Sequence, residues 1–178
     1  RCFASFRPLI KLRAIQLRDI VQRMLRRSAA PADWLLLDRQ LCFALYSASL
    51  AMTKLYKPLL EPLKLTYPQY LVMLVLWEGD GLTVSQLGER LALDSGTLTP
   101  LLKRLEALGH LQRLRDAADE RRVLLQLTAQ GRALRQQAKK VPAAIAQASG
   151  CELGEITALT TRLQALRQQL SDSTPRAA

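Results

Sequence analysis

The chain has 178 residues, 49% of them hydrophobic and only 5% aromatic, with a formal net charge of +11. That length suits one domain, or one domain with an extension, and the apolar fraction excludes disorder throughout. No apolar run reaches the roughly 18 residues needed to span a membrane, so no membrane partner is expected.

Residues 1–33 carry eight bases against Asp19 and Asp33, which is +6 of the +11; the rest carries eighteen bases against thirteen acids. A body this modestly basic fits a nucleic-acid partner without requiring one. The opening segment is basic throughout and lacks the clean apolar stretch of a signal peptide. It reads either as an Arg-rich presequence of mitochondrial type or, preferably, as sequence upstream of a natural start at Met24. Residues 1–33 are therefore expected to be an extension to the body.

Three cysteines, Cys2, Cys42 and Cys151, are odd in number and widely spaced, matching neither a disulfide scaffold nor a zinc ribbon. Without an export signal the chain is expected in the cytoplasm with its thiols reduced, so that a disulfide would be regulatory. No metal or cofactor is expected, and Cys2 is expected to play no part.

Asp38 is placed to cap a long first helix, DRQLCFALYSASLAMTKLYKPLLEPL. Leu41, Leu45, Ala48, Met52, Leu55 and Leu59 recur there at helical intervals. Pro58 and Pro62 bend and then end it. A second helix starts at Thr66 with Pro68 in its first turn; it is apolar nearly all round, which predicts a central position. The Gly79–Gly81 region closes it.

Thr83 and Gln86 form a capping box ahead of TVSQLGERLAL. After a short turn, DSGTLTPLLKRLEALG follows with Asp94 as cap and Gly109 as stop. Two short helices joined this tightly predict a helix-turn-helix. HLQRLRDAADERRVLLQLT then reads as strand, polar loop, strand, and a hairpin just after a recognition helix is a wing. Thr128 caps TAQGRALRQQAKKV, which breaks at Pro142. A last helix, ELGEITALTTRLQALRQQL, carries Leu153, Ile156, Leu159, Leu163, Leu166 and Leu170 on one stripe. Residues 171–178 are expected to fray. The expected fold class is mainly α with a small β wing, a winged helix-turn-helix.

This pattern resembles the multiple-antibiotic-resistance-regulator (MarR) family over roughly residues 35–170. Asp119-Glu120-Arg121-Arg122 and Leu127-Thr128-Ala129-Gln130-Gly131 resemble its wing tip and its strand-to-helix junction. Leu41-Cys42-Phe43-Ala44-Leu45-Tyr46-Ser47 and Leu65-Thr66-Tyr67-Pro68-Gln69-Tyr70 resemble the organic-hydroperoxide-sensing repressors, in which a cysteine at that place is the peroxide sensor. Cys151 resembles the resolving cysteine of the two-cysteine members, although the surrounding AAIAQASG departs from their spacing. The resemblance implies a homodimer that binds palindromic double-stranded operator DNA and leaves it when oxidised. It also implies a helical dimerisation region at 34–65 and 141–170, with the first and last helices interleaved. The DNA-binding domain is then 66–140.

A recognition helix presents its N-terminal side chains to base edges. Ser95, Thr97 and Thr99 are short hydrogen-bonding residues, and Pro100 offers an apolar ring to thymine methyls. Lys103 and Arg104 lie further along, suited to phosphates or a guanine. Simple helix capping by Ser95 and Thr97 is the plainer alternative. At the wing, Arg121 is the expected minor-groove reader. Asp119 is placed to accept from a neighbouring arginine, and Arg115 and Arg122 to touch phosphates; a solvated polar turn is the alternative there.

Cys42 lies near a helix N-terminus, where backbone N–H groups favour a thiolate, although a cysteine on an apolar helix side is usually packing. Tyr46 is four residues on and shares its face. Tyr56 is fourteen on, about 21 Å along the axis, too far for its own Cys42 but within reach of a partner's across a two-fold axis. Tyr67 can join it. In the family that Cys42 resembles, tyrosines at these two positions hydrogen-bond the opposite subunit's cysteine. For each tyrosine the alternative is a core residue with its hydroxyl at the edge.

Two rival readings stay open: regulation by a small aromatic ligand with Cys42 inert, and a thiol peroxidase. Against an enzyme, the single His110 is far in sequence from Cys42 and no catalytic triad, metal or phosphate-loop motif is present.

Overall fold

A computed structural model describes residues 34–117, 119 and 121–173. The expected extension at 1–33, with Cys2 and Met24, lies outside the described residues. The chain divides into two units, residues 1–51 and 52–178.

The described part of the first unit is a 3-10 turn at Leu37–Arg39 followed by the opening of helix α1, Leu41–Leu60. Asp38 lies inside that turn and does not cap α1, contrary to expectation. Gln40 takes over the junction. Its carbonyl accepts the Ala44 N–H at 3.0 Å, and its side-chain amide donates to the carbonyls of Trp34 and Leu36. The 3-10 turn takes Asp38 into its own backbone and leaves Gln40, not Asp38, as the residue next to α1.

The second unit begins within α1. The helix passes through Pro58 and ends at Leu60, and Pro62 follows in a 3-10 turn at Glu61–Leu63. Helix α2, Tyr67–Glu78, starts at a capping box in which the Gln69 side chain accepts the Thr66 N–H at 2.8 Å. That bond lets Gln69 be buried without an orphan amide oxygen. Tyr70, Val72, Met73, Val75, Leu76 and Trp77 are buried and Leu71 and Leu74 half-buried, so α2 is central as its sequence implies. Each such side chain contributes about 1.5–3 kcal/mol.

Helices α3, Val84–Leu91, and α4, Ser95–Ala107, form the helix-turn-helix. Thr83 caps α3 with Gln86 in the expected box, and Asp94 caps α4. Gly109 has φ +75°, the left-handed stop that a glycine supplies cheaply. The hairpin is β2, Leu111–Arg115, paired with β3, Val123–Leu127, in register from Leu111 opposite Leu127 to Arg115 opposite Val123. A third strand, β1 at Leu82–Thr83, pairs antiparallel with β3, so the sheet order is β1-β3-β2. It was not legible beforehand because its two residues also make the cap of α3.

Helix α5, Ala129–Ala138, is capped by Thr128, whose hydroxyl accepts the Gly131 N–H at 3.0 Å. The break comes at Lys139–Lys140, ahead of the expected Pro142. Pro142 instead sits in the first turn of helix α6, Val141–Ser149, where its missing N–H costs nothing. Helix α6 was not foreseen as a separate element. Helix α7, Leu153–Ser173, runs three residues into the segment expected to fray, with Ser171 and Ser173 donating to the carbonyls of Arg167 and Gln169. It has no buried residue, and Leu153, Leu159, Leu163 and Leu170 of its apolar stripe are exposed. Among the described residues no helix is long and apolar enough to cross a membrane.

Candidate nucleic-acid interface and thiol site

Helix α4 has two clean faces. Leu98, Leu102 and Leu105 are buried, whereas Ser95, Thr97, Thr99, Pro100, Lys103 and Arg104 are all exposed. The Thr97 N–H and hydroxyl both donate to the Asp94 carboxylate at 2.8 Å, and these bonds hold its carboxyl below the usual range. The Thr99 hydroxyl donates to the Ser95 carbonyl at 2.6 Å. Both threonines thus spend their protons within the helix and present outward an acceptor oxygen and a methyl group. The turn from α3 is tight at Gly88, where a β-carbon would lie 2.7 Å from the Leu93 carbonyl oxygen.

An unforeseen pair fixes α4 to the wing. The Arg113 guanidinium reaches Glu106 at 2.6 and 2.8 Å while its backbone N–H donates to the same carboxylate at 3.1 Å. The Arg113 hydrogen bond holds the Glu106 carboxyl below its ordinary range. The two residues are seven apart and straddle Gly109, so helical spacing could not reveal them.

At the wing tip the Asp119 carboxylate accepts the backbone N–H of Arg121 at 3.1 Å, and its carbonyl accepts the Arg122 N–H at 2.9 Å. Asp119 therefore shapes the turn through backbone donors. The arginine side chain held by an acid is Arg122, 3.7 Å from Asp116. Arg115 and Arg121 are exposed. Asp80 anchors the far end of the hairpin, accepting the Leu127 N–H at 2.8 Å and pairing with Arg132 at 3.1 Å.

In the first unit, Cys42 is an exposed free thiol at the second residue of α1, and Tyr46 is 62% exposed. In the second unit, Cys151 is an exposed free thiol between α6 and α7, its N–H directed to the Ser149 hydroxyl at 3.4 Å. There the structure brings Tyr56 and Tyr67 together with ring centroids 4.7 Å apart. It adds Tyr70, 5.9 Å from Tyr56 and 2% exposed. The three-residue interval from Tyr67 to Tyr70 on one helix was the available signal. Burial raises all three phenol pKa values above the ordinary range, reinforced for Tyr56 by its two neighbours. At neutral pH all three are proton donors. Beside them lies an open cavity of about 490 Å³, lined by Leu65, Tyr67 and Pro68 together with Lys54, Lys57, Lys64 and Glu61.

A helix-turn-helix braced to an antiparallel wing, with its outward face polar and basic, defines a winged-helix DNA-binding regulator. A family model of the SarA/Rot transcriptional regulators matches residues 54–138. The organic hydroperoxide resistance transcriptional regulator of Bacillus subtilis (strain 168) is 50% identical over 141 residues, covering 77% of this chain and 96% of that one. A structure of reduced AbfR bound to DNA superposes with TM-score 0.61 at 37% identity over 77% of this chain and 96% of that one. AbfR with its disulfide formed matches at TM-score 0.53 and 34% identity, covering 87% and 97%. Wild-type MarR of E. coli matches at TM-score 0.59 and 27% identity, covering 71% and 96%. The chain belongs to the MarR family of winged helix-turn-helix transcriptional regulators, in the branch that includes the organic hydroperoxide regulators.

Proposed function

We propose that this chain is a homodimeric repressor that binds palindromic operator DNA and releases it when Cys42 is oxidised by an organic hydroperoxide. The observation that carries the reading is the cluster of Tyr56, Tyr67 and Tyr70, three protonated phenols beside a cavity lined by three lysines and Glu61. Phenol donors and ammonium groups stabilise a thiolate, and the partner subunit's Cys42 is the thiol that the two-fold arrangement brings to them. The exposed leucine stripe of α7 and the exposed Leu41 and Leu50 of α1 supply apolar surface for the dimer. The names of the relatives support the same reading: one is an organic hydroperoxide regulator, and another has been solved reduced on DNA and with a disulfide formed.

In the mechanism, the Cys42 thiolate attacks the terminal oxygen of the hydroperoxide. The O–O bond breaks, sulfur becomes a sulfenic acid, and the alkoxide leaves as the alcohol after taking a proton. Tyr56 and Tyr67 hold the thiolate beforehand; the added oxygen disturbs that geometry. The thiol of the partner subunit's Cys151 then condenses with the sulfenic acid, forming a disulfide and releasing water. A disulfide requires α-carbons within about 7 Å, so the helices bearing the two cysteines must approach, which spoils the half-site spacing of the DNA lobes. Ser95, Thr97, Thr99 and Pro100 read bases, Lys103 and Arg104 meet phosphates or a guanine, Arg115 and Arg122 touch phosphates, and Arg121 enters the minor groove.

The test is operator release on adding cumene hydroperoxide. Cys42→Ser should bind operator and ignore the oxidant; release by that variant would end the role of Cys42. Cys151→Ser should still respond without forming an interchain disulfide, and such a dimer on a non-reducing gel would remove Cys151 from the mechanism.

A further inference from the structure

We infer that Asp80 is a positioning residue that carries a movement of α2 to the wing, and so couples oxidation at the thiol site to release of DNA. Its role rests on the one proposed for Cys42 and supplies the part of the fold that transmits the signal. Tyr67 and Tyr70 stand at the start of α2, packed against Tyr56. About 16 Å further along the axis the helix ends at Glu78. Its buried side chains are close-packed, so a shift at the tyrosine end is felt at the far end rather than absorbed on the way. The Gly79 N–H still donates to the Val75 carbonyl at 3.2 Å, so the helical ladder runs up to the residue before Asp80.

That far end is tied to the DNA-reading elements. Glu78 pairs with Arg90 of α3, and the Trp77 indole N–H donates to the Gly131 carbonyl of α5 at 2.9 Å. Asp80 adds the link to the wing. One oxygen of its carboxylate accepts the Leu127 N–H of β3 at 2.8 Å and the Gly81 N–H at 3.0 Å. The other is 3.1 Å from the Arg132 guanidinium of α5. Hydrogen bonds to an ionised acceptor are short and strong, so the strand and the helix end keep a fixed separation. Asp80 thereby grips β3 and α5 with one side chain, whereas Trp77 reaches α5 and Glu78 reaches α3.

From Leu127, β3 runs back to Val123, beside Arg122 and Arg121 at the tip. Its ladder with β2 extends from Leu111 opposite Leu127 to Arg115 opposite Val123, so the hairpin moves as one piece. A displacement of α2 that takes Asp80 with it therefore moves Leu127, and the hairpin delivers that displacement to Arg115 and Arg121. Without the Asp80 carboxylate, β3 is held to this end of α2 by backbone bonds through Gly81 and β1. That link is looser, and part of the shift is lost before it reaches the DNA.

The test compares the full chain reduced and after cumene hydroperoxide, with Cys42 oxidation followed by mass. Affinity of both forms is measured for a labelled duplex selected for binding to the reduced wild type. A mere brace would weaken both forms by the same factor and leave the ratio of the two affinities alone. Asp80→Ala should oxidise at the wild-type rate, yet its reduced-to-oxidised ratio should be smaller than that of the wild type by about fivefold or more. Asp80→Asn keeps an acceptor for the Leu127 N–H but loses the charge facing Arg132, and should fall between the two. A ratio equal to wild type in either variant would overturn the role of Asp80. Slowed oxidation of Cys42 in Asp80→Ala would overturn it too, because the loss would then arise at the thiol. A wild type that keeps the duplex with Cys42 oxidised would instead end the proposed role of Cys42, and that of Asp80 with it.

Discussion

Gly131 lies so close to His110 that a β-carbon on it would overlap the His110 carbonyl oxygen. The same glycine accepts the Trp77 indole N–H on its carbonyl at 2.9 Å, tying α5 to the central helix α2. The glycine that closes Leu127-Thr128-Ala129-Gln130-Gly131 is thus required by packing, not by an unusual φ. Gly131→Ala should destabilise the fold by about 2–3 kcal/mol, as overpacking does in a dense core. Equilibrium urea unfolding measures this; wild-type stability would mean that the strand-to-helix junction yields freely.

The wing gives a prediction on DNA. Arg121 and Arg115 are exposed, whereas Arg122 is paired with Asp116. Arg121→Ala should weaken operator binding and reduce discrimination for A·T-rich flanks. Arg115→Ala should weaken binding to all sequences alike and lower the slope of log affinity against log salt by about one. Titrations at several salt concentrations separate the two. An Arg121→Ala protein with unchanged affinity would remove the wing tip from recognition.

The brace between Glu106 and Arg113 predicts an effect at a distance from the DNA-facing side chains. Glu106→Gln keeps the shape of the side chain but loses the charge that holds the guanidinium at 2.6 Å. The pair is only about one-third exposed at each partner, so its loss is expected to cost no more than about 1 kcal/mol of stability. Operator affinity should fall about tenfold because α4 and the wing lose their fixed angle. Equal affinity for Glu106→Gln and wild type would show that the hairpin register alone sets that angle.

Much of this architecture is written in local chemistry. Thr83 with Gln86, Asp94, Thr128 and Gly109 each announce a helix boundary through a hydrogen bond made within a few residues. The unbroken apolar surface of α2 announces its central place. What stayed hidden depends on longer reach or on competition between signals. Asp38 was the stronger cap by residue type, yet the 3-10 turn at Leu37–Arg39 absorbs it and leaves Gln40 next to α1. Strand β1 has only two residues and exists because β3 offers it a partner. Glu106 with Arg113, and Asp80 with Arg132 fifty-two residues away, are created by the fold itself. At the candidate site, Cys42, Tyr56 and Tyr67 were singled out by helical spacing and resemblance, whereas the buried Tyr70 looked like ordinary core.

The tyrosine cluster makes its own kinetic prediction, resting on the proposed role of Cys42. A hydrogen bond to a charged group contributes about 1.5–3 kcal/mol, so losing one phenol donor should slow thiolate oxidation by about tenfold or more. Tyr56→Phe and Tyr67→Phe each keep their ring and should leave stability nearly intact. Stopped-flow oxidation of the reduced protein by cumene hydroperoxide reads the effect. Rates equal to wild type in both variants would show that the phenols do not touch the reacting thiol.

His110 sets the acid limit of stability. Burial lowers its imidazole pKa below the ordinary value, because a charged ring would lose its hydration among Leu108, Leu134 and their neighbours. In the unfolded chain the same ring binds a proton near pH ~6.5. The unfolded state therefore takes up more protons as the pH falls, and stability present above pH ~6.5 is lost below it, at up to about 1.4 kcal/mol per pH unit. Asp94 and Glu106, whose pKa values are also lowered, lose their contributions only near and below pH ~4, outside this window. Melting temperature should accordingly hold from about pH 7.5 to about pH 6.5 and decline below that in the wild type. In His110→Leu, which fills the same space without a titrating nitrogen, that decline should flatten even if the absolute melting temperature changes. An identical slope in the two proteins would show that His110 takes its proton as readily in the folded chain as in the unfolded one.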